Sequence, residues 1–365
     1  MKIFKIMLPV IALLAVGTGC ANKNDVNNNA DNNIKVAEQH NNEELLDKEN
    51  RLLYEGCINL NIGDECNSLG YAYDKGQGVK QDYSKANIYY EKACNLNVGE
   101  GCFNLGVSYA KGQGEKQNYK KANTYYEKAC NLNDGYGCNN LGISYNNGRG
   151  VKQDYKKANT YYEKACNLND GYGCNNLGNS YSNGEGVKQD YKKAYTYYEK
   201  ACDLGNGNGC NYLGVLYDNG SGVKQDYKKA NSYYEKACNL NSGKGCFGLG
   251  LLYEDGKGVK QDYSKAKSYY EKACNLDNGD GCLNLGVLYR KGLGLRQDIS
   301  MAVSYYEKSC NLKVDIACNN LGELYEDGIG VRQNKIKAKE YFGKSCDLGN
   351  QQGCDNYRKL NEQGY

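Results

Sequence analysis

Eighteen of the nineteen cysteines fall into nine pairs, and the pairs recur every 36 residues. Cys94/Cys102 starts a series that runs through Cys130/Cys138, Cys166/Cys174, Cys202/Cys210, Cys238/Cys246, Cys274/Cys282 and Cys310/Cys318 to Cys346/Cys354, each with seven residues between its members. Cys57/Cys66 opens the series with one extra residue, and Cys20 is left over. A strict period in this range builds a solenoid of stacked units, each touching only its neighbours, rather than a globular enzyme core. A length of 365 residues would otherwise suggest about two domains, but a solenoid grows by units.

The unit from Cys138 to Cys166 shows how the period folds. Cys138, Leu141, Gly142 and Tyr145 stand at i, i+3, i+4 and i+7, one face of a short helix A. Gly148 and Gly150 end it by supplying left-handed backbone. Asp154 then holds an N-cap position, shared by Asp82, Asn118, Asp190, Asp226, Asp262, Asp298 and Asn334. Helix B follows, with Tyr155, Ala158, Tyr162 and Ala165 on one stripe and Tyr161 and Leu168 beside it. Gly142 recurs in every unit although a mid-helix Gly costs about 1 kcal/mol relative to Ala. Its retention implies a close neighbouring helix, with Ala158 and Ala165 as the matching small residues.

Eight A–B hairpins result, from Cys66–Cys94 to Cys318–Cys346. A lone B-type helix precedes them and a truncated, polar A-type helix from Cys354 follows. The predicted division is a signal segment at 1–20, an Asn-rich tether at 21–42, an N-terminal capping helix within 43–65, eight repeats over 66–353 and a C-terminal cap at 354–365.

Two disulfide schemes suit such hairpins. Cys94 could join Cys102 across the turn from B to the next A, or Cys66 could join Cys94 within one hairpin. The second strands Cys57 and Cys354. The first uses all eighteen, as Cys57–Cys66, Cys94–Cys102, Cys130–Cys138, Cys166–Cys174, Cys202–Cys210, Cys238–Cys246, Cys274–Cys282, Cys310–Cys318 and Cys346–Cys354. Chain entropy gives roughly 2.5 kcal/mol for each small loop so closed. Zinc wants sets of four Cys/His, and the only His, His40, lies in the Asn-rich segment. No metal or other cofactor is expected.

Disulfides on this scale imply an oxidising compartment. Lys2 and Lys5 precede an apolar run, Ile6 to Val16, too short for a comfortable membrane span. The small residues Gly17-Thr18-Gly19 before Cys20 resemble a bacterial lipobox, with Gly17 where Leu is usual. Lipidation of Cys20 is the expected outcome, and plain cleavage after Gly17 or Ala21 the competing one. The expected location is therefore outside the cytoplasm: periplasm, outer-membrane lipoprotein or secreted. The lipid would be the only membrane attachment. Net charge is +3 with 24% charged residues of mixed sign and no basic block above that background, so nothing points to nucleic acid or an anionic surface.

The string Leu-Gly-x-x-Tyr-x-x-Gly-x-Gly-Val, followed by Asp-Tyr-x-Lys-Ala-x-x-Tyr-Tyr-Glu-Lys-Ala-Cys, resembles the Sel-one-like repeat, a relative of the tetratricopeptide repeat. The added C-x7-C pair makes the chain similar to the Helicobacter cysteine-rich protein (Hcp) family over about residues 57–354. That resemblance implies an all-α fold, a right-handed αα-superhelix with one disulfide per unit, and secretion or surface display. It also implies penicillin binding or slow β-lactam hydrolysis. Relatives without the cysteines are adaptors for proteins or peptides.

The residues give the enzymatic reading little. Ser-x-x-Lys occurs at Ser108–Lys111, Ser221–Lys224 and Ser264–Lys267, about as often as chance allows, and no Lys-Thr-Gly or Lys-Ser-Gly accompanies it. Ser264 with Lys267 is the best of the three, because Ser264 opens a helix B where backbone N–H groups favour an anion.

A binding surface is better supported. Helix A repeats Asn104, Asn140, Asn176, Asn284 and Asn320 at one position. Asn both donates and accepts, so a ladder of them suits an extended peptide or a carboxylate. The next position holds Ser108, Ser144 and Ser180 early, then Leu216, Leu252, Leu288 and Leu324. It predicts a groove with a polar and an apolar end. Inter-repeat hydrogen bonds are the plainer role for the same Asn residues. The expected ligand is a protein or peptide, or else a peptidoglycan fragment or β-lactam.

Overall fold

The computed structural model describes residues 48–365, and every regular element among them is a helix. A first helix, α1 (Lys48–Ile58), precedes the repeats. The A helices are α2 (Gly63–Lys75), α4 (Gly99–Lys111), α6 (Gly135–Asn147), α8 (Gly171–Asn183), α10 (Gly207–Asn219), α12 (Gly243–Asp255), α14 (Gly279–Lys291) and α16 (Asp315–Asp327). Their B partners are α3 (Tyr83–Asn95), α5 (Tyr119–Asn131), α7 (Tyr155–Asn167), α9 (Tyr191–Asp203), α11 (Tyr227–Asn239), α13 (Tyr263–Asn275), α15 (Ile299–Asn311) and α17 (Lys335–Asp347). A final helix, α18 (Gln351–Glu362), closes the stack. The fold is an all-α solenoid of paired hairpins stapled by disulfides. The signal segment, Cys20, the Asn-rich tether and His40 lie outside the described residues, as does the start of the predicted N-terminal cap.

Local chemistry sets each boundary. Asp154 caps α7 by accepting from the backbone N–H of Lys157 at 3.0 Å, and its equivalents cap the other B helices in the same way. Gly148 closes α6 at φ +69°. Gly150 is left-handed as well, at φ +71°, and a Cβ there would also fall 2.6 Å from the backbone carbonyl carbon of Tyr119 in the preceding unit. Both glycines of each Gly-x-Gly thus turn the chain, and the second also lets successive units approach.

The A helices begin three residues before the cysteine, earlier than the apolar periodicity shows. Asp134 starts α6 by accepting from the N–H of Gly137 at 2.6 Å. Each turn from B to A also passes through one left-handed residue: Asn61, Asn97, Asn133, Asn169, Gly205, Asn241, Asp277, Lys313 and Gly349. The nine disulfides cross these turns, joining each cysteine pair over the short loop, with Cα–Cα separations from 4.5 to 4.7 Å.

Within a hairpin the recurrent helix-A glycine lies under an aromatic ring. A Cβ on Gly142 would sit 2.6 Å from both Cδ1 and Cε1 of Tyr162. Of the small residues of helix B, Ala158 lies beside this glycine, its carbonyl oxygen 3.2 Å from such a Cβ, whereas Ala165 matches a different one, since a Cβ on Gly173 would lie 2.5 Å from that of Ala165. Ala158, Tyr162 and Ala165 are buried as expected, but Tyr155 is 38% exposed. It begins the helix at the edge, where its hydroxyl accepts from Gln153 at 3.0 Å.

Each of the eight units also stacks two tyrosines, Tyr145 on Tyr161 at 5.6 Å for example. A lysine covers the first ring, as Lys157 does at 5.3 Å. Finally, Asn87, Asn123 and Asn159 of the B helices donate to backbone carbonyls of the next unit's Gly-x-Gly loop at 2.7–2.8 Å. The terminal helix α18 is of nearly full length rather than truncated, and it buries Leu360 completely.

Candidate functional site

Successive A helices from α2 to α14 pack directly on one another, more closely than successive B helices do. The A side is therefore the inner side of the curve. Its exposed stripe follows i, i+4, i+7 and i+11 along each helix. In α6 these residues are Tyr136, Asn140, Ile143 and Asn147, all half-buried or exposed.

The predicted Asn residues belong to this stripe, but they do not form one free ladder. Asn104 donates to Asn67 at 3.0 Å and Asn176 to Asn139 at 2.8 Å, each bridging to the preceding unit. Asn356 repeats the bond to Asn319 at 3.0 Å. Where the preceding unit offers Phe103, the amide has no such acceptor, and Asn140 donates instead to its own Tyr136 carbonyl at 2.9 Å. Asn284 and Asn320 likewise follow Phe247 and Leu283. The row thus mixes inter-unit struts at Asn104 and Asn176 with amides bonded elsewhere, Asn140 to its own helix and Asn284 to the Tyr270 hydroxyl, and a ligand would meet the donors and acceptors that these bonds leave over.

The neighbouring Ser-to-Leu series does not line a groove. Ser108, Ser144 and Ser180 are 2–5% exposed, and Leu216, Leu252, Leu288 and Leu324 are 0–4% exposed. They point one helix position past the stripe, about 100° around the axis, into the hairpin core. The polar-to-apolar gradient is a gradient of core packing. The apolar row that does face outward is one residue earlier: Tyr71, Val107, Ile143, Val215, Leu251 and Val287.

Three consecutive A helices give this wall a window without charge. It comprises Tyr136, Asn140, Ile143 and Asn147 of α6, then Tyr172, Asn176, Asn179 and Asn183 of α8, then Asn208, Tyr212, Val215 and Asn219 of α10. The flanking helices carry charge at both ends of the same stripe, Glu100 and Lys111 in α4, Lys244 and Asp255 in α12. At the foot of the window lies a cleft of about 290 Å³ lined by Tyr136, Asp170, Tyr172, Asn206, Asn208 and Ser242. Asp170 is 7% exposed, and burial pushes its carboxyl up despite backbone N–H donors from Tyr172 and Gly173. Asp134, one unit earlier, is raised for the same reason. Burial likewise raises the phenol of Tyr126 to about 12. The aromatic groups of the core therefore stay neutral at ordinary pH.

Ser264 and Lys267 are not brought together as a nucleophile and base. Ser264 is exposed in the first turn of α13, and the helix N-terminus is already occupied by the Asp262 carboxylate, which accepts from Lys265 N–H at 3.0 Å. Lys267 places its ammonium 5.7 Å from the centre of the Tyr289 ring in the next unit. Met301 stands there where other units carry the covering lysine, so Lys267 supplies the missing cation. Among the described residues no group of His, Cys, Asp or Glu could hold a metal ion, and no helix is long and apolar enough to cross a membrane.

A family model described as Sel1 repeat matches residues 66–98, 99–134, 135–170, 171–206, 207–242, 243–278, 279–314 and 315–350. Its boundaries fall at the starts of the A helices from α4 onward. Among solved structures, a Sel1 repeat protein from Oxalobacter formigenes is 29% identical with a TM-score of 0.62, over 68% of this chain and 99% of that one. A protective antigen of uropathogenic Escherichia coli with an SLR fold is 27% identical with a TM-score of 0.60. That alignment covers 83% of this chain and 65% of the antigen, so the chain spans less than two thirds of its length. Cysteine rich protein B of Helicobacter pylori is 45% identical over 36% of this chain and 95% of its own, with a TM-score of 0.31. No curated protein sequence matches the chain.

Proposed function

Because the chain belongs to the Sel1-repeat family, a solenoid fold typical of protein–protein interaction scaffolds, we propose that it is an exported scaffold for an extended, uncharged peptide segment of a partner protein. The segment lies across α6, α8 and α10. The uncharged window carries this reading, since twelve wall positions without charge stand out in a chain with 24% charged residues. A peptide backbone can exchange hydrogen bonds with the Asn amides and lay apolar side chains against Tyr136, Ile143, Tyr172 and Val215. The charged rims at α4 and α12 hold its ends in register by disfavouring displacement.

Export accords with nine disulfides, which an oxidising compartment sustains. A lipid on Cys20 would tether the scaffold to a membrane. β-Lactam hydrolysis rests on family likeness alone, and the placement of Ser264 and Lys267 does not favour it.

Selection of a random peptide library on the oxidised protein tests the proposal. Selected peptides should be poor in charged residues. They should bind about tenfold more weakly, roughly 1.4 kcal/mol, to Asn140→Lys/Asn176→Lys. The control Asn320→Lys should bind them unchanged. Peptides that bind both variants alike would overturn the window as the site.

A further inference from the structure

The linear sequence has no basic block, yet the fold gathers cations along one edge. Each A–B loop contributes one at the same position: Lys80, Lys116, Lys152, Lys188, Lys224, Lys260, Arg296 and Arg332. All eight are exposed. No acidic side chain among the described residues pairs with any of them. The first turns of the B helices add further lysines beside this row, such as Lys156 with Lys157 and Lys192 with Lys193. Residues 76–85 and their seven equivalents, through 328–337, carry a summed formal charge of +14. The opposite edge is of the other sign. Residues 59–65 and the eight later B–A turns, through 347–353, sum to −8. A chain of net charge +3 is thus strongly polarised across its width.

We infer that the cationic edge binds a linear anionic polysaccharide that runs along the solenoid. The row follows the curve of the superhelix. A flexible polymer can track it, whereas a flat bilayer meets only a few units at once. Regular cation spacing suits a polymer with a repeating charge, and release of its counterions drives binding. Neutral groups for sugar hydroxyls stand beside six of the eight cations, because Gln153 bonds the Tyr155 hydroxyl at 3.0 Å and the pair recurs in five other units. The choice of a polysaccharide over nucleic acid rests on the export reading, since oxidising compartments are where disulfides persist. The site is distinct from the uncharged wall, so either proposal can fail without the other.

The test uses the oxidised full-length protein with dextran sulfate and alginate as anionic polysaccharides. Neutral dextran is the control, and a single-stranded oligonucleotide represents the other class of polyanion. Binding is measured at two salt concentrations. Lys152→Gln/Lys188→Gln/Lys224→Gln should weaken dextran sulfate binding at least about tenfold and flatten its salt dependence by about two to three counterions. Lys164→Gln/Lys200→Gln/Lys236→Gln, on the B helices, should leave both unchanged. Far-UV circular dichroism and the melting temperature confirm that both variants fold. Equal loss in the two variants, or no binding at low salt, would overturn the inference. Preference for the oligonucleotide would reassign the edge and equally overturn it. So would self-association by sedimentation that the row variant abolishes, since the cationic edge would then be engaging the anionic edge of a second copy.

Discussion

Gly142 offers the most direct reading of how a unit is held together. An alanine there would place its Cβ 2.6 Å from two ring carbons of Tyr162 and 3.2 Å from the Ala158 carbonyl oxygen. Carbon atoms prefer about 3.5–4.0 Å, so the ring would have to withdraw by about 1 Å. Tyr162 is 4% exposed and clusters with Ala158 and Leu177, with Tyr145 and Tyr197 packed against that cluster, which leaves little room. Overpacking of this kind costs about 1–3 kcal/mol, while Gly→Ala in a helix gains about 1 kcal/mol. Gly142→Ala should therefore be neutral to about 2 kcal/mol destabilising. In a Tyr162→Ala background the same change should stabilise by about 1 kcal/mol, leaving a coupling of about 1–3 kcal/mol. Hydrogen exchange of the α6 and α7 amides reads this hairpin locally, which suits a repeat array better than global unfolding. A coupling below about 0.5 kcal/mol would refute the ring-over-glycine account.

Two further outcomes follow from the B–A turns. Lys313 is the one turn residue that is neither Gly, Asn nor Asp, and it holds φ +66°. Lys313→Gly or Lys313→Asn should stabilise the last repeats by about 1 kcal/mol, seen as slower exchange in α15 and α16. Asp134 and Asp170 have carboxyls raised by burial, so the folded state holds their protons more tightly than the unfolded chain. Their contribution to stability is therefore greatest at low pH and falls as pH rises through the raised folded values. Asp134→Asn/Asp170→Asn keeps both caps, as Asn206 and Asn278 do natively. The double variant should melt higher than the parent at pH 7, with the difference gone below about pH 3.5. An equal difference at both pH values would reject burial of the charge as its cause.

Much of this was legible in the residues because the repeat states each rule eight times. Asp154 and its equivalents announced the B-helix caps, and Gly148 the end of helix A. The cysteine parity chose the short-range pairing. Four features were not legible, for definite reasons. Gly142 signalled a close approach, but not that a ring of its own hairpin makes it. Ser144 and Ile143 are adjacent in sequence, and a short helical pattern cannot tell which of two neighbours faces the core. The helix start at Gly135 depends on Asp134, which the apolar period does not include. The cationic edge escaped a search for contiguous charge because its members are 36 residues apart. The recurrence of Lys152 at the same place in each unit was the signal that could have revealed it.

The central claim is that a partner lies on the inner wall of α6, α8 and α10. Site-specific photocrosslinking tests it most directly. A photoreactive residue at position 176, on the wall, should capture a selected peptide or the native partner in high yield, and one at position 200, on helix B, should not. Capture from position 200 with none from position 176 would place the ligand on the other face and contradict the account.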